Sequence, residues 1–446
     1  MTTGFVFLRS YATVADMLND LFNTERFHLP FFSFGLFVAL AFFVAAYILV
    51  IELKRKAKAG IFKPTKQTIL IGEAPKPFDI AINALFGFIL GYKFIDAFLN
   101  WKTFSDNPQQ FIFSSGGNLL GGIALAALFG YLKYREKKQQ QLPKPQEKVL
   151  DVYPHHRIGD IVVVAAISGI LGAKIFSNFE EPNGWEQFFA NPLGDFFSGL
   201  TMFGGLILGA AAVIWYAKRK NISVLHLGDA VAPALILAYG VGRIGCQVSG
   251  DGDWGILNSA YICESASKIV AVDDSVFQNK MRQHAMYYQD AFQNIGTKHY
   301  ASFDAPSFLP TWAVAQNYAF NVNSDGIPVE GFEELVKANA YSRSSYLPIP
   351  VFPTPLYETI MCVLIFGLLW FLRKRWKIPG LLFAFYIILT GVERYFIEKI
   401  RVNNIVNFLG MEATQATFIS VGLILFGAIF FIVLKLKNRQ NPPAKA

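Results

Sequence analysis

The residues best suited to chemistry are few, and they sit at the ends of apolar runs. Arg243 closes a long apolar stretch and opens GVGRIGCQVSGDGDWG (240–255). A charge in hydrocarbon costs several kcal/mol and persists only with a partner or a wet cavity. The planar guanidinium fork suits bidentate binding of a phosphate. The flanking glycines let the backbone turn and approach a ligand closely, and Asp251 and Asp253 follow at once. A second set is GVERYFIEKIR (391–401), where Arg394, Glu398 and Arg401 are spaced i, i+4, i+7 and share one helix face. Two arginines at one site would stabilise a phosphodiester and the charge that builds on it as a bond breaks.

Two further motifs belong beside these. PTPLYETI (353–360) places Tyr357 and Glu358 at the mouth of another apolar run. Tyr357 reads either as an interfacial belt aromatic or as a ligand contact, whereas Glu358 is placed to pair with an arginine from another span. SGLTMFGGLILG (198–209) carries Gly204 and Gly205, which allow close approach of a second helix or of a lipid's glycerol and acyl chains. Blander readings stand next to each: snorkelling for Arg243, a self-paired solvated face for Arg394 and its neighbours, helix packing for the glycines. Asp229 and Pro233 read as a helix start, and Lys93 and Lys174 as snorkelling side chains.

The elements that must position these residues are transmembrane helices. Of 446 residues, 53% are hydrophobic and only 16% are charged, and the mean hydropathy is +0.36. That is too apolar for a soluble globular chain. The formal charge of +8 does not imply nucleic acid, because membrane proteins gather Lys and Arg in cytoplasmic loops. The cysteines, Cys246, Cys263 and Cys362, lack metal-site spacing and are too few for a disulfide framework. No metal or cofactor is expected. Residues 1–28 contain Asp16, Asp20 and Glu25 and no clean apolar core, so no cleavable signal peptide is read there.

Runs able to span a bilayer occur at 31–52, 79–99, 116–132, 159–177, 197–217, 229–248, 356–373, 378–398 and 416–435. The predicted fold class is therefore all-α, a polytopic transmembrane bundle of about nine spans. Basic clusters follow alternate spans: Lys54, Arg55, Lys56 and Lys58; Lys133, Arg135, Lys137 and Lys138; Lys218, Arg219 and Lys220; Arg373, Lys374, Arg375 and Lys377; Lys435, Lys437 and Arg439. This alternation puts the N-terminus outside and the C-terminus in the cytoplasm. The organisation read from it is an extracytoplasmic segment 1–30, helices one to six over 31–248, an extracytoplasmic insert 249–355, helices seven to nine over 356–436, and a tail 437–446. The insert carries 11 acidic and 6 basic residues. Under this topology Arg243, Phe203, Glu358, Arg394 and Lys174 all lie toward the outer face, in the headgroup region.

The chain also repeats itself. IAINALFGFILGYKFIDAF (80–98) matches IVVVAAISGILGAKIFSNF (161–179), and SSGGNLLGGIALAALFGYL (114–132) matches FSGLTMFGGLILGAAAVIW (197–215). The unit is two spans long, 79–132 and 159–217, and reads as a duplicated helical hairpin that widens the scaffold rather than half of a transport pathway.

Taken in order, GLTMFGGLILG, GDAVAPALILAYGVGRIG…GDGDWG, PTPLYE and ERYFIEKIR resemble the prolipoprotein diacylglyceryl transferases of bacteria. The resemblance implies an inner-membrane enzyme that moves the diacylglyceryl group of phosphatidylglycerol to the thiol of a lipobox cysteine beside a preprolipoprotein signal peptide, releasing glycerol 1-phosphate. It implies that Arg243 is the lipid-binding arginine, Arg394 a second essential arginine, Glu398 the acidic residue one turn on, and Tyr357 and Glu358 the Tyr-Glu pair. Phe203 stands where many members have a histidine, and Phe34 where a tyrosine is expected; members read Gly-Asn after the arginine, whereas here Gly245 is followed by Cys246 and Gln247.

The expected mechanism follows from these residues. The substrate cysteine attacks as thiolate, Arg243 and Arg394 bind the phosphate and stabilise its leaving form, and Asp251, Glu398 or Glu358 orients the arginines or takes the thiol proton. The competing reading is a non-catalytic phospholipid-binding or transport protein on the same scaffold.

Overall fold

The computed structural model describes residues 11–440 except 12, 28, 30, 107–110, 113, 182, 191, 193–199, 250–254, 256–260, 266–267, 284–351, 402–404 and 409. In chain order the helices are α1 (Val14–Phe22), α2 (Ser33–Lys58), α3 (Pro77–Leu99), α4 (Trp101–Asp106), α5 (Leu119–Gln139), α6 (Ile158–Glu180), α7 (Gly184–Ala190), α8 (Met202–Arg219), α9 (Val224–Ser249), α10 (Asp274–Gln283), α11 (Thr354–Leu372), α12 (Leu381–Glu398) and α13 (Gln415–Gln440). Three two-stranded antiparallel ribbons interrupt them: β1 (Thr65–Ile71) with β2 (Gln146–Val152), β3 (Tyr261–Ser265) with β4 (Lys268–Ala271), and β5 (Ile405–Phe408) with β6 (Met411–Thr414).

Each of the nine apolar runs is a helix of 18 to 26 residues. Six of these helices are apolar and long enough to cross a membrane: α2, α3, α6, α9, α11 and α13. The fold is mostly helical, as expected. Among the described residues α5, α8 and α12 fall outside that criterion, because they carry charged residues within a shorter or less apolar length. Large apolar side chains stand exposed along the helices, among them Phe43, Phe86, Phe98, Leu120, Ile167, Leu364 and Ile429. So much outward apolar surface is what a lipid solvent requires and water forbids. The chain is a multi-pass membrane protein.

Residues 50–224 form one compact unit, and 1–49 with 225–446 form another. The first of these is the repeat made solid. It contains two antiparallel helical hairpins, α3 with α5 and α6 with α8, and α3 and α5 are strung on the β1–β2 ribbon, whose register runs from Thr65↔Val152 to Ile71↔Gln146. The same contacts recur at equivalent positions. A Cβ at Gly91 would strike the carbonyl oxygen of Gly121, and one at Gly172 would strike that of Gly204. The backbone N–H of Asn118 donates to Tyr92 O at 2.8 Å, and that of Thr201 to Ala173 O at 3.2 Å. Only glycine lets two helix backbones approach so closely. The lysines of the two copies differ from the snorkelling expected of them. Lys93 Nζ donates to the Ser114 and Gly116 carbonyls, both at 2.6 Å, and Lys174 is buried, its ammonium 5.6 Å from the Phe188 ring centroid.

In the other unit, α12 and α13 cross at two glycines: a Cβ at Gly391 would meet Ser420 O, and one at Gly427 would meet Ala384 O. Gly240 of α9 lies against Cys362 of α11, and Thr359 Oγ1 donates to the Gly240 carbonyl at 3.1 Å. Beneath them Ala232, Ile236, Cys362, Leu369 and Leu382 form a buried apolar cluster.

Asp229 and Pro233 do not start their helix. It begins at Val224, so Pro233 lies inside it. Asp229 is buried, and its carboxylate accepts the N–H groups of Gly380 at 2.8 Å and Phe383 at 3.1 Å. It caps the N-terminus of α12, where donors are otherwise unsatisfied and negative charge is favoured. Of the 249–355 segment, only Ser249, Gly255, Tyr261–Ser265, Lys268–Gln283 and Phe352–Pro355 carry description; the remainder lies outside the described residues.

Leu at Gly204 must push the Gly172 backbone away, an overpacking worth about 1–3 kcal/mol. Thermal unfolding in detergent should show a lower Tm for Gly204→Leu and for Gly91→Leu. A wild-type Tm in both would mean that the crossings are not close-packed.

Candidate functional site

The site is assembled at one end of three helices. Arg243 lies near the C-terminal end of α9, Glu358 in the first turns of α11, and Arg394 and Glu398 in the last turns of α12. The close Gly240–Cys362 contact one turn below sets the separation at which Arg243 and Glu358 meet. Gly391 fixes α12 against α13 and so decides which face Arg394 presents.

Glu358 is fully buried and is the hub. Arg243 Nε forms an ion pair with its Oε2. Arg394 Nη1 lies 3.2 Å from Oε1, and Arg401 Nη1 lies 3.7 Å from the same atom. Tyr239 Oη, one turn before Arg243, donates to Oε1 at 3.3 Å. Arg394 Nη2 also reaches Glu398 Oε2 at 3.2 Å, an i, i+4 pair. Arg243 Nη1 contacts Cys246 Sγ at 3.4 Å. The two arginines singled out in the sequence are therefore brought together, through a carboxylate on a third helix.

The chain after Arg243 returns to the same place. Gly255 N donates to Phe352 O at 2.7 Å and forms an isolated bridge with Arg401. A Cβ there would collide with Ile400 O, Phe352 and Thr354, which is why the glycine-rich stretch must end in glycine. At the start of α2, Phe34 and Phe37 pack against Gly245. Tyr357 is half-buried, next to Glu358 on α11. Gly204 and Gly205 lie in the 50–224 unit, against Gly172 and Gly169 of α6. Asp251 lies outside the described residues.

Sequence reasoning passed over Glu393. It precedes Arg394, is 1% exposed, and neither carboxylate oxygen has a hydrogen-bond partner among the described residues. Glu358, Arg394, Arg243 and Arg401 lie within electrostatic reach of it. The argument that flagged Glu358, an acid inside an apolar run, applies equally here. No group of His, Cys, Asp and Glu capable of holding a metal occurs among the described residues.

What this arrangement can do is hold an anion. Each guanidinium has five N–H donors in a fixed plane, and a carboxylate that takes some of them orients the rest. The model of the prolipoprotein diacylglyceryl transferase family matches residues 122–433. The chain belongs to that family. All of α6, α8, α9, α11 and α12 falls within the matched diacylglyceryl transferase segment. Relatives named phosphatidylglycerol–prolipoprotein diacylglyceryl transferase include the following three. That of Corynebacterium glutamicum is 26% identical over 287 residues, 64% of this chain and 71% of the relative. That of Bifidobacterium adolescentis is 28% identical over 296 residues, covering 64% and 68%. The second such enzyme of Clostridium perfringens is 24% identical over 297 residues, covering 66% and 85%.

Removing one member of a buried ion pair leaves the others uncompensated and costs about 3–5 kcal/mol. Glu358→Ala should therefore lower chemical-denaturation stability by several kcal/mol, and Glu358→Gln, which keeps the shape and an acceptor oxygen, by less. Equal stability of both variants with wild type would remove Glu358 from its place at the hub.

Proposed function

We propose that the protein transfers the diacylglyceryl group of phosphatidylglycerol to the lipobox cysteine of a prolipoprotein, the first step of lipoprotein maturation. The observation that carries this reading is the convergence of Arg243, Arg394 and Arg401 on Glu358 at one membrane-end of α9, α11 and α12, in a chain of this family.

In the proposed reaction, the substrate's cysteine attacks as thiolate. Its sulfur bonds to the glyceryl carbon that bears the phosphate oxygen. The carbon–oxygen bond breaks, and its electron pair leaves with the phosphate as glycerol 1-phosphate. The phosphate passes from one negative charge toward two, so donors fixed before the reaction stabilise the transition state more than the bound lipid. In this reading Arg243 and Arg394 supply those donors, Glu358 and Glu398 hold them in place, and Tyr357 borders the lipid. Asp251 belongs to the same segment as Arg243 and is assigned an orienting role. Gly204 and Gly205 support the reading only through the α6–α8 crossing they permit.

Arg243→Ala and Arg394→Ala should each lower transfer by about 100-fold or more, the scale seen when one preorganised donor is lost. The assay supplies purified protein with phosphatidylglycerol and a lipobox peptide, and mass spectrometry reads the diacylglyceryl gain. A wild-type protein that binds the lipid without modifying the peptide would favour the lipid-binding alternative.

The loop charges support an orientation in the bacterial plasma membrane with the C-terminus in the cytoplasm. Alkaline phosphatase fused after Ala446 should be inactive, and fused within 284–351 active; the reverse pattern would invert the topology.

A further inference from the structure

The reaction must dispose of the thiol proton, and the geometry points to Glu393 as the group that takes it. This rests on the transferase reading. We propose that Glu393 is the proton acceptor for the attacking cysteine.

The other carboxylates of the cluster are engaged. Glu358 is held by Arg243, Arg394, Arg401 and the Tyr239 hydroxyl. Glu398 is paired with Arg394. Glu393 is as buried as these, yet both its oxygens lack a hydrogen-bond partner among the described residues. A buried polar group in that condition requires an explanation, and an acid within a membrane helix is by default a functional one.

Its position fits the task. Arg243, Glu358 and Arg394 mark the end of the three helices where a phosphate would sit. One turn or more nearer the bilayer midplane lie Tyr239 on α9, Cys362 on α11 and Tyr386 on α12. Glu393 lies within electrostatic reach of the arginines and of all three deeper residues. On α12 it comes before Arg394, on the side of Tyr386 and the bilayer midplane. In a phospholipid the glyceryl carbon esterified to phosphate is on that same side, between the phosphorus and the acyl chains. A thiol aligned for displacement at that carbon arrives beside Glu393.

The step also conserves charge. When the thiol proton moves to Glu393, the cluster gains one positive charge. In the same step the phosphate gains one negative charge as the carbon–oxygen bond breaks. In a low-dielectric site such compensation lowers the barrier more than it would in water. The ionisable groups facing Glu393 are Tyr239 and Arg243 of α9, Glu358 and Cys362 of α11, Tyr386 and Arg394 of α12, and Arg401 beyond it. On α13, packed along α12, the ionisable residues are Lys435, Lys437 and Arg439, at the opposite end.

The test is the pH dependence of transfer to the lipobox peptide by the full-length protein, followed by mass gain. At pH 7, Glu393→Gln should be slower by about 100-fold or more, the contribution of a positioned base. Its rate should then climb about tenfold per pH unit toward the free thiol value of about 8.5, so that the deficit narrows. The KM for phosphatidylglycerol should stay at the wild-type value. Glu393→Asp, which keeps a proton acceptor, should retain the wild-type shape of the profile at reduced rate. The inference is overturned by a wild-type rate in Glu393→Gln. It is equally overturned by a loss that is constant with pH in both variants, since that marks a structural role. An inactive wild-type protein would instead overturn the transferase reading on which the inference stands.

Discussion

One buried carboxylate organises this molecule. Glu358 sits in an apolar helix with no exposure, and it is tolerable there only because guanidiniums from two other segments surround it. The converse holds as well. Three arginines near a membrane surface repel one another, and Glu358 is what allows them to share one place. The glycines of these helices follow from that requirement. Gly240 brings α9 against α11, Gly391 seats α12 on α13, and Gly255 returns the segment after Arg243 to the Arg401 backbone. A preorganised cationic site must be stabilised by something other than its ligand, and here close helix packing and a single acid do so.

The 50–224 unit uses the same means for a different end. Its two hairpins each cross at a glycine pair, and each closes the turn with an N–H to carbonyl bond at the same relative position. Duplication has conserved the contact that makes a hairpin in lipid, where packing rather than water exclusion drives association. The lysine of each first helix has diverged: Lys93 donates to carbonyls just before the second helix, while Lys174 is buried against Phe188.

Much of this was legible in the residues. Apolar length located all nine long helices to within a few positions, because hydropathy reads directly on the solvent the chain needs. The repeat announced both hairpins. Arg243, Arg394 and Glu358 stood out because charge in an apolar run is rare, and the topology put them on one side. What was not legible depends on partners distant in sequence. Asp229 looked like the start of its own helix, yet its partners are Gly380 and Phe383; no local pattern encodes that. The ribbon of β1 and β2 pairs residues 65–71 with 146–152 across an intervening hairpin. Glu393 was hidden beside a more conspicuous arginine, and its lack of a hydrogen-bond partner among the described residues is a property of the packed interior.

The cap from Asp229 has a consequence for motion. It joins α9 to the N-terminal start of α12, while Arg243, Glu358 and Arg394 join the same two helices near their opposite ends. Two rods pinned at both tips cannot slide lengthwise past each other without breaking one set of pins. They act as a fixed frame, and the spacing of the guanidiniums is held by both ends of it.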